Sequence, residues 1–135
     1  MNNNITEDYC SFEVSKLLKE KGFDCMCDRK AAFTDKNKFY PAVIHYTKLS
    51  NCDKAYADGN VLVPTHALAI KWIRENFAIE LWVQPYNDEE LSQILYEWRG
   101  FDVKDDWNDI EGYEYFHSPE EATEAALLYT LKNLI

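Results

Sequence analysis

Glycine is scarce in this chain, and its placement excludes a class of function. The 135 residues hold four glycines, at positions 22, 59, 100 and 112. None lies in a G-x-G-x-x-G or Walker-type loop, which would gather backbone N–H groups around a phosphate at a helix start. Nucleotide binding of those types is excluded. Paired C-x-x-C knuckles are missing as well. The four cysteines, Cys10, Cys25, Cys27 and Cys52, come no closer to that pattern than one C-x-C, whereas structural zinc sites take their geometry from two knuckles. With His45 they are candidate ligands lacking a metal-site pattern, so the expectation is no metal, no cofactor, and thiols that behave as small apolar residues in a reducing compartment. No apolar run approaches the roughly 20 residues of a membrane span. The start, Met1-Asn2-Asn3-Asn4, has neither the positive charge nor the apolar stretch of a signal peptide. A cytoplasmic protein without membrane contact is expected.

Catalytic patterns are also thin. His45, His66 and His117 are the three histidines, but no serine or cysteine sits in a nucleophile context such as G-x-S-x-G. His66 follows the helix-capping candidate Thr65 and His117 precedes Ser118, so a helix-terminal position accounts for both. Asp105-Asp106-Trp107-Asn108-Asp109 offers carboxylates but lacks the glycine and distal glutamate of an EF-hand loop. Catalytic residues are therefore expected to be none.

What the chain has in quantity is apolar, aromatic and acidic material. Hydrophobic residues make up 47% and aromatics 15%, enough for one core in a chain of a size that buries roughly two thirds of its unfolded surface. No linker, repeat or low-complexity tract marks a boundary, and residues 1–135 read as a single domain. The charge is uneven. Residues 1–55 carry nine Lys and Arg against eight Asp and Glu, and residues 56–135 carry five against sixteen. So acidic a second half repels phosphates and speaks against direct nucleic acid binding.

Apolar spacing over Ser11–Lys21, stopped by Gly22, predicts a first helix. Alternation from Phe23 to Cys27 and again over Phe39–Tyr46, about a polar turn at Thr34–Lys38, predicts a hairpin with Pro41 at a strand start or edge. A loop follows over Leu49–Asn60, then a brief pairing segment at Val61–Val63. Pro64-Thr65 opens a second helix that ends near Asn76, and Ala78–Val83 reads as a strand. Residues Leu91–Arg99 fit either periodicity and are assigned to a strand. Phe101–Glu111 reads as an acidic loop and Gly112–Phe116 as a last strand. Ser118-Pro119-Glu120-Glu121 is a capping box that starts the third helix. Connections this short favour an α+β fold: a mainly antiparallel sheet of about four to five strands with three helices packed against it.

Three of these segments carry a resemblance. Ser11-Phe12-Glu13-Val14-Ser15-Lys16-Leu17-Leu18-Lys19-Glu20-Lys21-Gly22-Phe23, Pro64-Thr65-His66-Ala67-Leu68-Ala69-Ile70-Lys71-Trp72-Ile73-Arg74-Glu75, and Ser118-Pro119-Glu120-Glu121-Ala122-Thr123-Glu124-Ala125-Ala126 with Leu131-Lys132-Asn133-Leu134-Ile135 resemble a family of small proteins of unassigned activity carried by phages and prophages of gut bacteria. The shared positions are caps, helix formers and core aromatics. They imply a common fold and the setting of a mobile element, whose accessory proteins often act on a host protein or a rival defence system.

Aromatic and acidic residues coincide in the second half. Trp98, Asp102, Asp105, Asp106, Trp107, Asp109, Glu111 and Tyr113 are the candidate protein-binding residues, since Trp and Tyr carry interface energy at low entropy cost. The leading expectation is a non-enzymatic accessory protein that docks this surface on a host or phage protein, inhibition of a defence or nucleic-acid-binding protein by phosphate mimicry being one form of it. The alternative is a small ligand-binding domain or hydrolase with an unrecognised pocket, and a third reading is a homodimer with no further partner. A broad exposed patch marks the first; one deep pocket with convergent polar groups marks the second.

Overall fold

The computed structural model describes residues 1–25, 27, 29–34, 38–43, 60–112 and 114–135. His45, Cys52, Tyr113 and residues 44–59 lie outside them. The described residues form an α+β protein with three helices and two three-stranded antiparallel sheets. The chain divides into two compact units, Met1–His66 and Ala67–Ile135.

Unit 1 begins with α1, Phe12–Glu20. Ser11 caps it, its hydroxyl accepting from Val14 N at 3.2 Å. At the other end Gly22 takes φ +93°, its N–H donates to Lys19 O and the N–H of Phe23 donates to Leu18 O. This is the Schellman arrangement, in which a left-handed glycine lets the chain satisfy the last helical carbonyls and tuck an apolar residue behind them. Phe23 is accordingly buried beside α1's own buried Leu18 and does not begin a strand. The hairpin lies further on: β1, Arg29–Thr34, pairs with β2, Lys38–Val43, from Arg29↔Val43 to Thr34↔Lys38. The hairpin is thus present with its first strand displaced by about six residues; of the expected turn, residues 35–37 lie outside the described residues. β3, Asn60–Leu62, joins β1 on its other side. The order β2-β1-β3 leaves Pro41 on an edge strand, where its missing N–H costs no central ladder bond. Buried Val61 and Val63 gather Tyr9 and Phe12 around them.

α2, His66–Phe77, leads into unit 2. It stops through Ala78, which takes φ +59° and donates to Arg74 O at 3.0 Å. The chain then turns at once into β4, Ile79–Asp88, which pairs along its full length with β5, Gln93–Asp102. β6, Asn108–Glu111, completes the order β4-β5-β6. This strand therefore falls inside the stretch expected to be a loop, and the described residues of 112–116 form no ladder. A Cβ on Gly112 would lie 2.3 Å from Trp98 Nε1, so the chain leaves the ladder there against the indole. It rejoins β5 at one bridge, Phe116↔Tyr96.

α3, Pro119–Asn133, packs on β4 and β5. Its capping box is present in extended form: Ser118 Oγ accepts from Glu121 N, while Glu121 Oε2 accepts from His117 N, both at 3.2 Å. Ala122, Ala126, Leu127 and Leu131 are buried along one face, as are Ile79, Leu81, Trp98 and Ile110 of the sheet. A buried leucine contributes about 2 kcal/mol of apolar transfer. Among the described residues, no helix is long and apolar enough to cross a membrane.

Two close backbone features make opposite predictions. A Cβ on Gly100 would meet Glu80 O at 2.6 Å and Leu81 Cδ2 at 2.9 Å, so Gly100→Ala forces β4 and β5 apart and costs about 2 kcal/mol or more. Ala78 holds a left-handed position, so Ala78→Gly gains about 0.5–1 kcal/mol. Urea denaturation of both variants measures the two signs.

Candidate binding face

Strand pairing decides which side chains of unit 2 share a surface, because alternate residues point to opposite faces. The face bearing Leu81 and Trp98 meets α3, where Trp98 lies 5.3 Å from the Tyr129 ring. The other face carries three aligned pairs, Glu80↔Phe101, Trp82↔Arg99 and Gln84↔Glu97, with Asp109 and Glu111 added by β6. Trp98, expected as a surface anchor, is thus a core residue, 3% exposed.

The second face holds a continuous polar chain. Trp82 Nε1 donates to Gln84 Oε1 at 3.1 Å, and Gln84 Nε2 to Glu97 Oε1 at 2.6 Å. Arg99 then joins two carboxylates, donating to Glu111 Oε1 at 2.6 Å and lying 3.6 Å from Glu97 Oε2. Bridged in this way, the largely buried Glu97 keeps its charge compensated. Arg99 Nε is buried and has no partner among the described residues.

Aromatic rings run beside this chain. Trp82 and Phe101 sit with centroids 5.2 Å apart, and Phe101 meets Trp107 edge-on at 6.3 Å. Trp82 is 37% and Trp107 63% exposed. At the opposite end of the sheet, Tyr86 stacks on Tyr115 at 4.6 Å, and Leu91 of the β4–β5 turn and Ile94 of β5 are exposed.

The acidic residues separate into two kinds. Asp102 ends β5 and folds the turn behind it, its Oδ1 accepting from Lys104 N at 3.0 Å and Asp105 N at 3.2 Å. Asp88 does the same for the other hairpin, accepting from Glu90 N and Leu91 N. These are Asx turns, in which a short carboxylate replaces a missing backbone acceptor. Asp105 binds the Asn108 side chain at 3.3 Å. Asp106 and Asp109 stand exposed at the same tip, where Lys104 is the single cation among four aspartates of residues 102–109. Glu111 is committed to Arg99. Tyr113 lies outside the described residues.

Trp82, Phe101 and Arg99 were not among the residues expected at the site. Alternation about Leu81 would have placed Trp82 on the outer face, but Phe101 was assigned to a loop. Cys10, Cys25 and Cys27 are thiols, with Cys10 Sγ 3.9 Å from Thr65 O and Cys27 Sγ 3.4 Å from Cys25 O. Among the described residues, no three metal-ligating side chains converge within either unit. No protein-family model, no curated protein and no solved structure matches the chain.

Asp102 and Asp109 should differ sharply on removal. Asp102→Ala deletes two turn bonds and lowers stability by about 1 kcal/mol, whereas Asp109→Ala stays within about 0.5 kcal/mol. Chemical denaturation distinguishes them, and equal losses would mean that Asp102 has no part in holding the turn.

Proposed function

We propose that this protein is a non-enzymatic binding protein that docks the aromatic face and acidic tip of unit 2 on a basic protein surface. The observation that carries the reading is Trp107. It is 63% exposed and occupies a left-handed backbone position, φ +60°, directly after Asp106 at φ +53°. A bulky residue there strains the chain by about 1 kcal/mol, and an exposed indole recovers little of that through its edge contact with Phe101. A ring held out at such a cost, beside Trp82 and among exposed aspartates, is suited to insertion into a partner.

Charge supports the sign of that partner. Unit 2 holds five Lys and Arg against fifteen Asp and Glu, while unit 1 holds nine against nine. The whole net charge of −10 thus belongs to unit 2, which attracts cationic surfaces and speeds encounter with them. A host or phage protein with a nucleic-acid-binding surface fits this description, as does a defence factor, in keeping with the mobile-element setting that the three helical segments imply.

The test is capture from host lysate by the immobilised protein, with bound proteins identified by mass spectrometry. Binding that falls at high salt, drops at least about tenfold, or 1.4 kcal/mol, in Trp107→Gly, and is abolished by Asp105→Lys with Asp106→Lys supports the reading. Trp107→Gly should change stability by less than about 1 kcal/mol, since relief of strain offsets the lost ring contact. Capture that survives both variants would sink it.

A further inference from the structure

The α3 side of unit 2 carries a groove that shares Glu111 with the proposed docking face. A groove of about 270 Å³ is walled by Trp98, Phe116 and Tyr129, with Ala125, Glu111 and Glu114 at its margin. Ala125 and Tyr129 stand four residues apart on α3 and so share one helix face. The small side chain at 125 leaves room beside the Tyr129 ring. Trp98 and Tyr129 are in contact at 5.3 Å with planes inclined by 45°; both line the groove, Trp98, 3% exposed, with little of its surface and Tyr129 with more. Gly112 makes the recess possible: a Cβ there would overlap Trp98 Nε1 and Cε2 and displace the indole.

Three aromatic residues around a recess fit either an apolar group or a cation, and charge decides between them. Among the described residues, no lysine or arginine lines the groove. The Glu111 carboxylate is held by Arg99, but Glu114 is exposed and pairs with no cation among the described residues. The surrounding unit carries five cationic side chains against fifteen anionic ones. Aromatic faces attract weakly hydrated ammonium groups through their quadrupoles, by an interaction that strengthens as water is excluded. The volume lies just below the roughly 300 Å³ at which pockets for drug-sized ligands begin, which matches a headgroup better than a whole metabolite. We propose that this groove binds a small alkylammonium ion, the headgroup of a methylated or quaternary amine, against Trp98, Phe116 and Tyr129 with Glu114 as counter-charge.

The experiment uses the full chain and tetramethylammonium chloride, followed through the indole N–H resonances of the four tryptophans, with Trp98 assigned by Trp98→Phe. Sodium chloride at matched concentration controls for ionic strength, and tert-butanol serves as a neutral probe of similar size. The expected result is a saturable shift of the Trp98 resonance at millimolar cation, with Trp82 and Trp107 unmoved and tert-butanol at least about tenfold weaker. Tyr129→Leu, at a 42% exposed helix position, should weaken binding severalfold while leaving the other indole resonances in place. Glu114→Gln should weaken it less. An absence of saturation, or equal affinity for tert-butanol, overturns the proposal. So does an unchanged affinity in Tyr129→Leu. None of these outcomes depends on whether the opposite face docks a protein.

Discussion

The pairing of β4 with β5 is the constraint on which the second unit depends, because the period of a strand is two and a slip of one residue exchanges its faces. With Leu81 opposite Gly100 and Val83 opposite Trp98, the apolar residues meet α3 and the pairs Trp82↔Arg99 and Gln84↔Glu97 meet at the other surface. A slipped register would bury an arginine and a glutamate against α3 and expose Leu81, Trp98 and Ile79. Three local features hold it in place. Asp88 fixes the turn, Ala78 sets where β4 starts, and the bare backbone of Gly100 admits Glu80 O to a distance that no side chain would allow. The polar chain from Trp82 to Glu111 then forms only in this register, so surface chemistry and core packing specify the same ladder.

Acidity in this protein is therefore partly architecture. Asp88 and Asp102 each terminate a strand and accept two backbone N–H groups, which makes them components of the hairpins that carry them. Glu97 and Glu111 are bound to Arg99, and Glu80 to Arg74 at 2.8 Å. The carboxylates left over for a partner are fewer than the composition implies, and at the β5–β6 tip they stand next to Trp107. A cationic surface approaching that tip meets a fixed geometry, because the turn beneath it is already hydrogen-bonded and little ordering remains to be done on contact.

Much of this was legible in residues, and the failures have physical causes. The Gly22 stop of α1, the capping box of α3, Pro41 at a strand start or edge and the α+β class followed from local rules that need only a few neighbouring residues. The strand over 93–102 was legible through the alternation of Ile94, Tyr96 and Trp98, though a helical period fitted the same stretch. Phe23 was misread as a strand residue because its alternation with Cys25 outweighed the Schellman signal of Gly22 before it. β6 was hidden because Asn108-Asp109-Ile110-Glu111 has one apolar residue, and its pairing is decided by β5 and not by its own propensity. Trp98 was placed on the surface for a related reason. A strand pattern separates two faces, but only the position of α3 says which of them is covered.

Conformational strain separates Trp107 from the rest of this framework. Among the described residues, four non-glycine positions take positive φ, and all belong to unit 2: Ala78, Ser92, Asp106 and Trp107. Alanine, serine and aspartate at such sites are small or polar, and each joins one element to the next, so chain reversal accounts for them. Trp107 joins the tip to β6, a task that glycine or asparagine performs with less strain. Its ring gains one edge contact at 6.3 Å and leaves most of its surface in water. Folding alone gives no reason for an indole at that position. The docking proposed for this tip would supply one, since desolvating an exposed tryptophan against a partner returns more free energy than the turn loses by holding it.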